Sequence, residues 1–197
     1  MSETPWHDNP VWPFGDLKPN HYGVILADPP WRFKTYNSDI SAKSAAGHYN
    51  LMGKDDLRRL QVWKLAADDC VLVMWATQAQ MPEAVALMDT WGFTYKTMGA
   101  WAKQSSTGQK WAFGTGYVLR SAAEFYLIGT QGKPKAKVRN VRNLIVAPVR
   151  EHSRKPAQMH ADLERLFDGP YCELFGRQQR ENWEVWGNET EKFSEAA

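Results

Sequence analysis

Residues 24–31 read VILADPPW, and this octet decides the fold of the chain. Its first four residues form a short apolar run that includes β-branched side chains, which is typical of a buried strand. The run ends at Asp28, and the two prolines that follow cannot donate a backbone N–H, so neither a strand nor a helix continues. The octet therefore predicts an acid fixed at the carboxyl end of a strand, the edge of an open α/β sheet where ligands bind.

The hydrogen-bond acceptors of the octet suit one kind of ligand. The Asp28 carboxylate and the Pro29 carbonyl lie beside the flat ring of Trp31. A planar group with an exocyclic amino group would give one N–H to each acceptor. For adenine, this favours a more pyramidal nitrogen that attacks a methyl sulfonium directly, while the protein positions the reactants and stabilises the developing charge. The alternative is a plain strand-to-turn junction, because Asp-Pro-Pro is a common breaker.

Length and composition predict a single globular domain. The chain has 197 residues, is 43% hydrophobic and 23% charged, and carries a formal net charge of +2, which excludes a polycation. Its two cysteines, Cys70 and Cys172, form neither a disulfide framework nor a zinc spacing. We find no signal peptide in residues 1–20 and no apolar run near the roughly 18 residues of a membrane span. We therefore expect a cytoplasmic protein without a metal site.

Apolar patterning alternates between strands and helices along the chain, which predicts an α/β fold with a mostly parallel sheet. The predicted strands cover 22–27, 70–76, 93–102, 123–128, 144–146, 171–175 and 183–186. The predicted helices cover 54–65, 81–91 and 156–167. The predicted loops are 32–52, 103–117 and 132–142.

A run of cations follows the predicted strand 123–128. From Lys133 to Lys155 the chain has eight Lys or Arg residues and one acid. Two interpretations stay open: a solvated basic surface, or a strip that contacts the phosphates of a polynucleotide. We name the first part of this run the basic strip, and it consists of Lys133, Lys135, Lys137, Arg139 and Arg142.

Polar residues also precede the last predicted helix. Ser153 is in position to cap that helix. The free N–H groups at the start of the helix, with Arg154 or Lys155, would bind a carboxylate or a phosphate. An ordinary capped helix start explains the same residues equally well.

Three further features each have two interpretations. Gly176, between a predicted strand and Arg177, permits the close approach of a nucleotide-like ligand, although the full G-x-G-x-x-G pattern is absent. Residues 187–189 are either a turn or a site for ribose hydroxyls. Glu124 stands inside an apolar strand, where it faces either solvent or a substrate.

In their order along the chain, these segments resemble the MT-A70 family, the methyltransferases that make N(6)-methyladenine from S-adenosylmethionine. The resemblance runs from about Phe14 to Glu189 and implies a Rossmann-like class I methyltransferase fold, with helices on both faces of the sheet. It also implies a permuted motif order, with the catalytic strand early and the cofactor-ribose strand late. The matching segments are Asp28-Pro29-Pro30-Trp31, His48-Tyr49, Val71–Trp75, Trp91-Gly92-Phe93, Trp101-Ala102-Lys103, Gly116 to Glu124, Glu151 to Pro156, Glu173 to Arg177 and Gly187-Asn188-Glu189.

The resemblance further implies roles for individual residues. The catalytic residues would be Asp28, Pro29, Pro30 and Trp31, the first two holding the amino group. The residues that contact S-adenosylmethionine would be Asp28, Ser153, Lys155, Arg177, Asn188 and Glu189. Among them, Lys155 would neutralise its carboxylate, and Arg177, Asn188 and Glu189 would hold the ribose and its surroundings. The substrate contacts would be Tyr49, Trp101, Lys103, Glu124 and, in the basic strip, Lys135, Lys137, Arg139 and Arg142.

The resemblance also bears on substrate and organisation. We predict an irregular N-terminal arm over 1–20, a single methyltransferase domain over 21–188 and an acidic tail over 189–197. The chain lacks the long extension and zinc fingers of the eukaryotic messenger-RNA enzymes and looks like a compact bacterial or phage type, which favours DNA as the substrate. The alternatives are the same reaction on RNA and an inactive nucleic-acid-binding homologue. We expect a monomer or a homodimer without an obligate partner, in the bacterial cytoplasm or in that of a phage host.

Overall fold

The apolar run before Asp28 forms an interior strand of a seven-stranded sheet in the computed structural model, which describes residues 12–31, 52–151 and 153–193. This strand, β1, covers Tyr22–Ala27, the bounds that the sequence predicts. It is almost wholly buried because the sheet is covered on both faces. The other strands are β2 (Ala66–Ala76), β3 (Thr94–Gln104), β4 (Ala123–Gln131), β5 (Leu144–Pro148), β6 (Tyr171–Leu174) and β7 (Trp183–Trp186).

The sheet is mostly parallel, as predicted. Its strand order is β5-β3-β4-β2-β1-β6-β7. Among the described strands, β4 runs antiparallel to its neighbours β2 and β3, and the other neighbouring pairs are parallel. The carboxyl ends of the six parallel strands therefore meet at one edge of the sheet, named here the carboxyl edge. Their amino ends meet at the opposite amino edge.

Helices cover both faces of this sheet, which confirms the predicted fold class. Leu57 and Met88 of the first two helices pack on one face, whereas Met159 and Leu163 of the third pack on the other. None of the helices in the described part of the chain is long and apolar enough to cross a bilayer. The helices are α1 (Lys54–Arg59), α2 (Met81–Thr90) and α3 (Gln158–Leu166).

β1 lies at the point where the chain changes direction across the sheet. β2, the next strand in the sequence, pairs with one side of β1. β6, which comes much later in the sequence, pairs with the other side. Such a switch point leaves a crevice at the carboxyl ends of the two strands, and ligands of open α/β sheets bind there. Asp28 follows β1 at this crevice.

The predicted helix over 54–65 is divided in two. α1 ends before Leu60, whose backbone is extended, and a 3₁₀ turn follows over Val62–Lys64. Continuation of α1 would need the Leu57 carbonyl to accept the N–H four residues on. That carbonyl accepts the N–H of Leu60, three residues on, at 3.3 Å, and also the indole N–H of Trp91 at 2.8 Å. The last turn of α1 is therefore tightened, and a distant side chain occupies the second lone pair of this carbonyl.

The prediction that Ser153 caps the last helix is wrong. α3 begins at Gln158 with Ala157 at its N-cap, and no side-chain cap forms there. Ser153 lies four residues upstream with a positive φ of 66°. Its carbonyl accepts a hydrogen bond from Arg177, so the serine shapes the loop rather than the helix terminus.

Candidate active site

Backbone hydrogen bonds on both sides hold Asp28 at the carboxyl edge. Its N–H donates to the carbonyl of Leu174, the last residue of β6, at 3.2 Å. The N–H of Trp31 donates to the Pro29 carbonyl at 2.8 Å, which closes a tight turn and leaves that carbonyl a second lone pair. The Asp28 side chain is 17% exposed. Its carboxylate is therefore reachable from solvent but largely shielded by protein.

Trp31 anchors this turn from the core. Its side chain is 6% exposed and belongs to the apolar cluster on the face covered by α1 and α2. Its indole N–H donates to the carbonyl of Trp75, near the end of β2, at 3.1 Å. Pro29 before it is buried and Pro30 is half-buried. Trp31 thus fixes the position of Asp28, and contact between its ring and a base stays a prediction.

Three cations converge on two acids beside the turn, and we name these five side chains the charge network. Lys155 Nζ lies 2.9 and 2.8 Å from the two Asp28 oxygens and 3.5 Å from Glu124 Oε2. Arg177 reaches Asp28 Oδ2 at 3.3 Å, and Lys103 pairs with the other Glu124 oxygen. The five side chains are between 12% and 22% exposed, so solvent ions screen them weakly.

The charge network keeps Glu124 and Lys155 ionised. Burial acts to raise the pKa of Glu124, but the charges of Lys155 and Lys103 outweigh it and the pKa is lowered. Burial acts to lower the pKa of Lys155, but the charges of Asp28 and Glu124 outweigh it and the pKa is raised. Each group therefore stays charged at neutral pH because of its partners.

The parallel topology assembles the network from distant parts of the sequence. Lys155 lies in the loop between β5 and α3, where Arg150 donates to its backbone carbonyl at 2.5 Å. Arg177 follows β6 and donates to the Ser153 carbonyl at 2.5 Å. Asp28 and Arg177, which are 149 positions apart, meet because β1 and β6 are neighbours.

A pocket opens beside the network, and sequence reasoning missed several residues of its lining, among them His160. Its Nε2 lies 2.8 Å from Oε2 of Glu173, on β6. Its buried Nδ1 has no hydrogen-bond partner among the described residues. Lys155 and Arg177 line the same pocket. The sequence offers only the position of His160 on an amphipathic helix, and its partner is on the next strand.

The pocket lining also contains Gln178 and Phe193, which the sequence did not single out, and both contact Arg154, which it did. Arg154 donates to Gln178 at 2.9 Å, and its guanidinium lies 5.0 Å from the centre of the Phe193 ring. The Phe193 N–H donates to the Arg177 carbonyl at 3.0 Å. The chain after β7 therefore folds back over the pocket as far as Phe193.

Two predicted substrate residues belong to the charge network, and a third lies beneath it. Lys103 and Glu124 are members of it, at the adjoining ends of β3 and β4. Trp101 is 3% exposed, and its indole N–H donates to the Ala147 carbonyl at 2.9 Å. Lys103 Nζ lies 5.1 Å from the centre of that ring, so Trp101 supports the lysine from within the core.

Two predicted cofactor residues lie away from this pocket. Asn188 is exposed, and Glu189 pairs with Lys192 at 2.7 Å. Neither lines the pocket in the described structure. At Gly176, a Cβ would lie 2.4 Å from Cγ1 of Val185, so the glycine makes room for the neighbouring strand.

The structure does not bring the basic strip to this site. Lys137, in its middle, pairs with Asp168 at 2.9 Å and donates to the Glu164 carbonyl at 3.0 Å. Asp168 lies beside Gly23 at the start of β1, which places this part of the strip at the amino edge. Its phosphate contacts stay a prediction, as does the substrate contact of Tyr49, which lies outside the described residues.

The profile of the MT-A70 family matches residues 22–189. The chain belongs to the MT-A70 family. This confirms the resemblance, and with it a methyltransferase of the 6-amino group of adenine that uses S-adenosylmethionine and takes a nucleic acid as substrate.

Two kinds of MT-A70 relative match the chain. The Type II methyltransferase M.MunI of Mycoplasma sp is 32% identical over 196 residues, which cover 89% of this chain and 81% of M.MunI. The catalytic subunit METTL3 of the human N(6)-adenosine-methyltransferase is 31% identical over 173 residues, and an MT-A70-like N(6)-adenosine-methyltransferase of Arabidopsis thaliana is 32% identical over 172 residues. Each match covers 85% of this chain but 28% and 24% of those two proteins, so the chain spans about a quarter of their length.

The pocket contains the groups that S-adenosylmethionine requires. Lys155 and Arg177 offer cations for the carboxylate at the amino-acid end of the cofactor. Glu173 offers acceptors for hydroxyl or amino groups. The buried Nδ1 of His160 and the buried Nε of Arg154 have no hydrogen-bond partner in the described part of the chain, and a polar ligand would satisfy such atoms. The residues present therefore fit this cofactor.

Proposed function

We propose that this MT-A70 protein methylates the 6-amino group of adenine in DNA, with the Asp28 carboxylate and the Pro29 carbonyl as acceptors for the two N–H hydrogens. The observation that carries the proposal is the position of Asp28, held at the crevice between β1 and β6 and in contact with Lys155 and Arg177. A carboxylate fixed before the reaction stabilises the positive charge that develops on the attacking nitrogen, and it does so without reorganisation.

Lys155 has two roles in this proposal. It keeps Asp28 in place through contacts to both carboxylate oxygens, and it neutralises the cofactor carboxylate. S-adenosylmethionine, when bound, supplies a methyl group on a positively charged sulfur. Arg177 also contacts Asp28, at Oδ2, so Asp28 keeps one cationic partner when Lys155 turns toward the cofactor.

We further propose that Lys103 and Glu124 orient the substrate, because they lie in the charge network next to Asp28. The resemblance alone carries the other assignments. Ser153 would contact the cofactor, Asn188 and Glu189 would hold its ribose together with Arg177, and Tyr49 and Trp31 would contact the base.

The match to M.MunI supports DNA as the substrate, because it covers most of both chains. The second candidate is RNA. It is favoured by the relatives named N(6)-adenosine-methyltransferases, although this chain spans about a quarter of their length. We also propose the domain limits given above, a cytoplasmic location, and a monomer or a homodimer.

Methyl transfer from labelled S-adenosylmethionine tests the proposal. The substrates are single-stranded DNA, duplex DNA, duplex DNA with a mismatched adenine, and RNA, and the products are identified as nucleosides. We expect N(6)-methyladenine in DNA. Single-stranded or mismatched DNA should react at least as fast as a perfect duplex, because extraction of a paired base costs a few kcal/mol. Methylation of RNA alone would replace DNA by the second candidate, and the absence of N(6)-methyladenine from every substrate would overturn the proposal.

A further inference from the structure

The connection between β3 and β4, residues 105–122, contains the most exposed large apolar side chains of the described structure. Its large apolar side chains are 64–88% exposed, whereas the next most exposed residue of this kind outside it, Leu144, is 52% exposed. We name this connection the apolar hairpin. Its exposed apolar residues are Trp111, Phe113, Tyr117, Val118 and Leu119.

The apolar hairpin is ordered by its own backbone. Ser105 donates to the Lys110 carbonyl at 2.7 Å, and Gly114 donates to the Ser121 carbonyl at 2.8 Å. At Gly116, a Cβ would lie 1.8 Å from the Leu119 carbonyl oxygen, so the second turn requires glycine. The exposed apolar side chains therefore lie on an ordered, hydrogen-bonded loop.

The apolar hairpin starts and ends beside the charge network. The Ala112 N–H donates to the Lys103 carbonyl, and the Lys103 N–H donates to the Ala122 carbonyl, both at 2.8 Å. The side chain of the same lysine pairs with Glu124, which also contacts Lys155. A polynucleotide whose adenine reaches Asp28 must therefore pass close to the apolar hairpin.

The charges of the apolar hairpin suit a polyanion. Residues 105–122 contain Lys110 and Arg120 and no acid. The Arg120 guanidinium lies 4.4 Å from the centre of the Phe113 ring. Trp111 and Phe113 alternate with Ala112 in an extended segment, which points their side chains to the same side. Aromatic rings interleaved with cations are typical of surfaces that bind single-stranded nucleic acid.

We propose that the apolar hairpin binds the substrate strand by stacking Trp111 and Phe113 on the bases next to the target adenine. The inference rests on the proposed function, because it takes the ligand at Asp28 to be an adenine of a polynucleotide. Removal of that base from the stack deprives the neighbouring bases of their stacking partner. The two rings replace that partner, which offsets part of the cost of extrusion.

The test is the affinity of Trp111→Ser/Phe113→Ser for two DNA strands, measured by fluorescence anisotropy with S-adenosylhomocysteine present. One strand is intact, and the other has abasic sites on both sides of a single adenine. Stacking on two bases is worth about thirtyfold or more in affinity. The variant should therefore bind the intact strand at least about thirtyfold more weakly than wild type, and the abasic strand less than about twofold more weakly.

The control is Trp63→Ser/Tyr95→Ser, which removes a tryptophan and a second exposed aromatic side chain outside the apolar hairpin. It should bind both strands like wild type. Circular dichroism and calorimetry with S-adenosylmethionine establish that both variants fold and keep the cofactor site.

Equal reductions in affinity for the intact and abasic strands would overturn the proposal. So would an unchanged strand affinity with disappearance of a dimer in sedimentation, because the apolar hairpin would then bind a second copy of the chain. Methyl transfer is measured separately, so a failure of the proposed function is distinguishable from a failure of this one.

Discussion

The carboxyl edge and the amino edge of the sheet are both rich in cations, but the cations have different surroundings. At the carboxyl edge, Lys155 is 14% exposed and contacts Asp28 and Glu124. At the amino edge, Lys137 is 39% exposed and pairs with Asp168, which is 85% exposed. The shielded charges at the carboxyl edge interact strongly with one another, whereas an exposed pair such as Lys137–Asp168 typically contributes about 1 kcal/mol or less.

This difference shows that a count of charges does not locate a functional site. The basic strip is the more conspicuous feature of the sequence, with five cations within ten residues. The charge network draws its three cations from three separate segments. Parallel strands bring their carboxyl ends together, so the topology, rather than local charge density, determines which charges meet.

The largest expected effect is that of Asp28→Ala on methyl transfer. Loss of a charged acceptor that acts mainly in the transition state costs roughly 3–4 kcal/mol, or at least about a hundredfold in rate. The affinity for S-adenosylmethionine should change much less. Asp55→Ala is the control, because Asp55 is an acid that is 82% exposed on α1, and its rate should stay near that of wild type. An Asp28→Ala variant with half the wild-type rate would contradict the assigned chemistry.

Lys155→Ala and Lys137→Ala compare the two edges directly. A charge-assisted hydrogen bond contributes roughly 1.5–3 kcal/mol, so Lys155→Ala should bind S-adenosylmethionine about ten- to a hundredfold more weakly in calorimetry. Lys137→Ala, which removes the exposed pair, should bind it like wild type. If Lys155→Ala keeps its cofactor affinity and loses only polynucleotide binding, Lys155 belongs to the substrate surface instead.

The pH dependence of stability gives a third comparison. The pKa of Glu124 is lowered in the folded protein, so its contribution to stability is present above the unfolded pKa of about 4.3 and is lost as the pH falls through the folded pKa. Glu124→Gln should lower the unfolding free energy at pH 7 by about 1–3 kcal/mol and flatten its decline below about pH 4.5.

Chemical denaturation between pH 7 and pH 3 measures this effect. Asp168→Asn is the control from the amino edge, and it should change the unfolding free energy by less than about 1 kcal/mol. A decline in stability as steep in Glu124→Gln as in wild type would mean that the network does not carry the acid sensitivity.

Local sequence patterns were sufficient for most of the fold. β1 and β7 have the predicted bounds, because apolar residues bounded by proline, glycine or polar residues specify a strand locally. The local pattern over 54–65 gave no signal for the break at Leu60, and the Leu57 carbonyl next to the break contacts a distant residue, Trp91. Ser153 does not cap α3 because the helix begins later, at Gln158, and the Ser153 carbonyl accepts from a distant residue, Arg177.

Some residues of the candidate site could be predicted from the sequence, but their pairing could not. Asp28 was evident from the octet alone, and Lys155 and Arg177 followed from the resemblance. The contact of Lys155 with Asp28 joins positions 127 apart, and the contact of His160 with Glu173 needs α3 and β6 to be packed together. Pairing across a sheet is a property of topology, which no local pattern specifies.

The smallest expected effect concerns the basic strip, and the distance between the two edges sharpens it. β1 has six residues and separates Asp28 from the amino edge by about 20 Å, at roughly 3.3 Å per residue. The phosphates of one DNA strand are spaced by about 3.4 Å along the helix axis, so the strip would contact phosphates about six nucleotides from the target. Replacement of the five cations by glutamine should therefore reduce the salt dependence of affinity for a long duplex, by about one unit of log–log slope for each phosphate that the strip no longer binds.

The slope should stay unchanged for an oligonucleotide with about three nucleotides on each side of the adenine. A reduced slope on the short oligonucleotide would place the strip next to the target base, against the separation of the two edges, whereas an unaltered slope on the long duplex would make the strip a solvated surface.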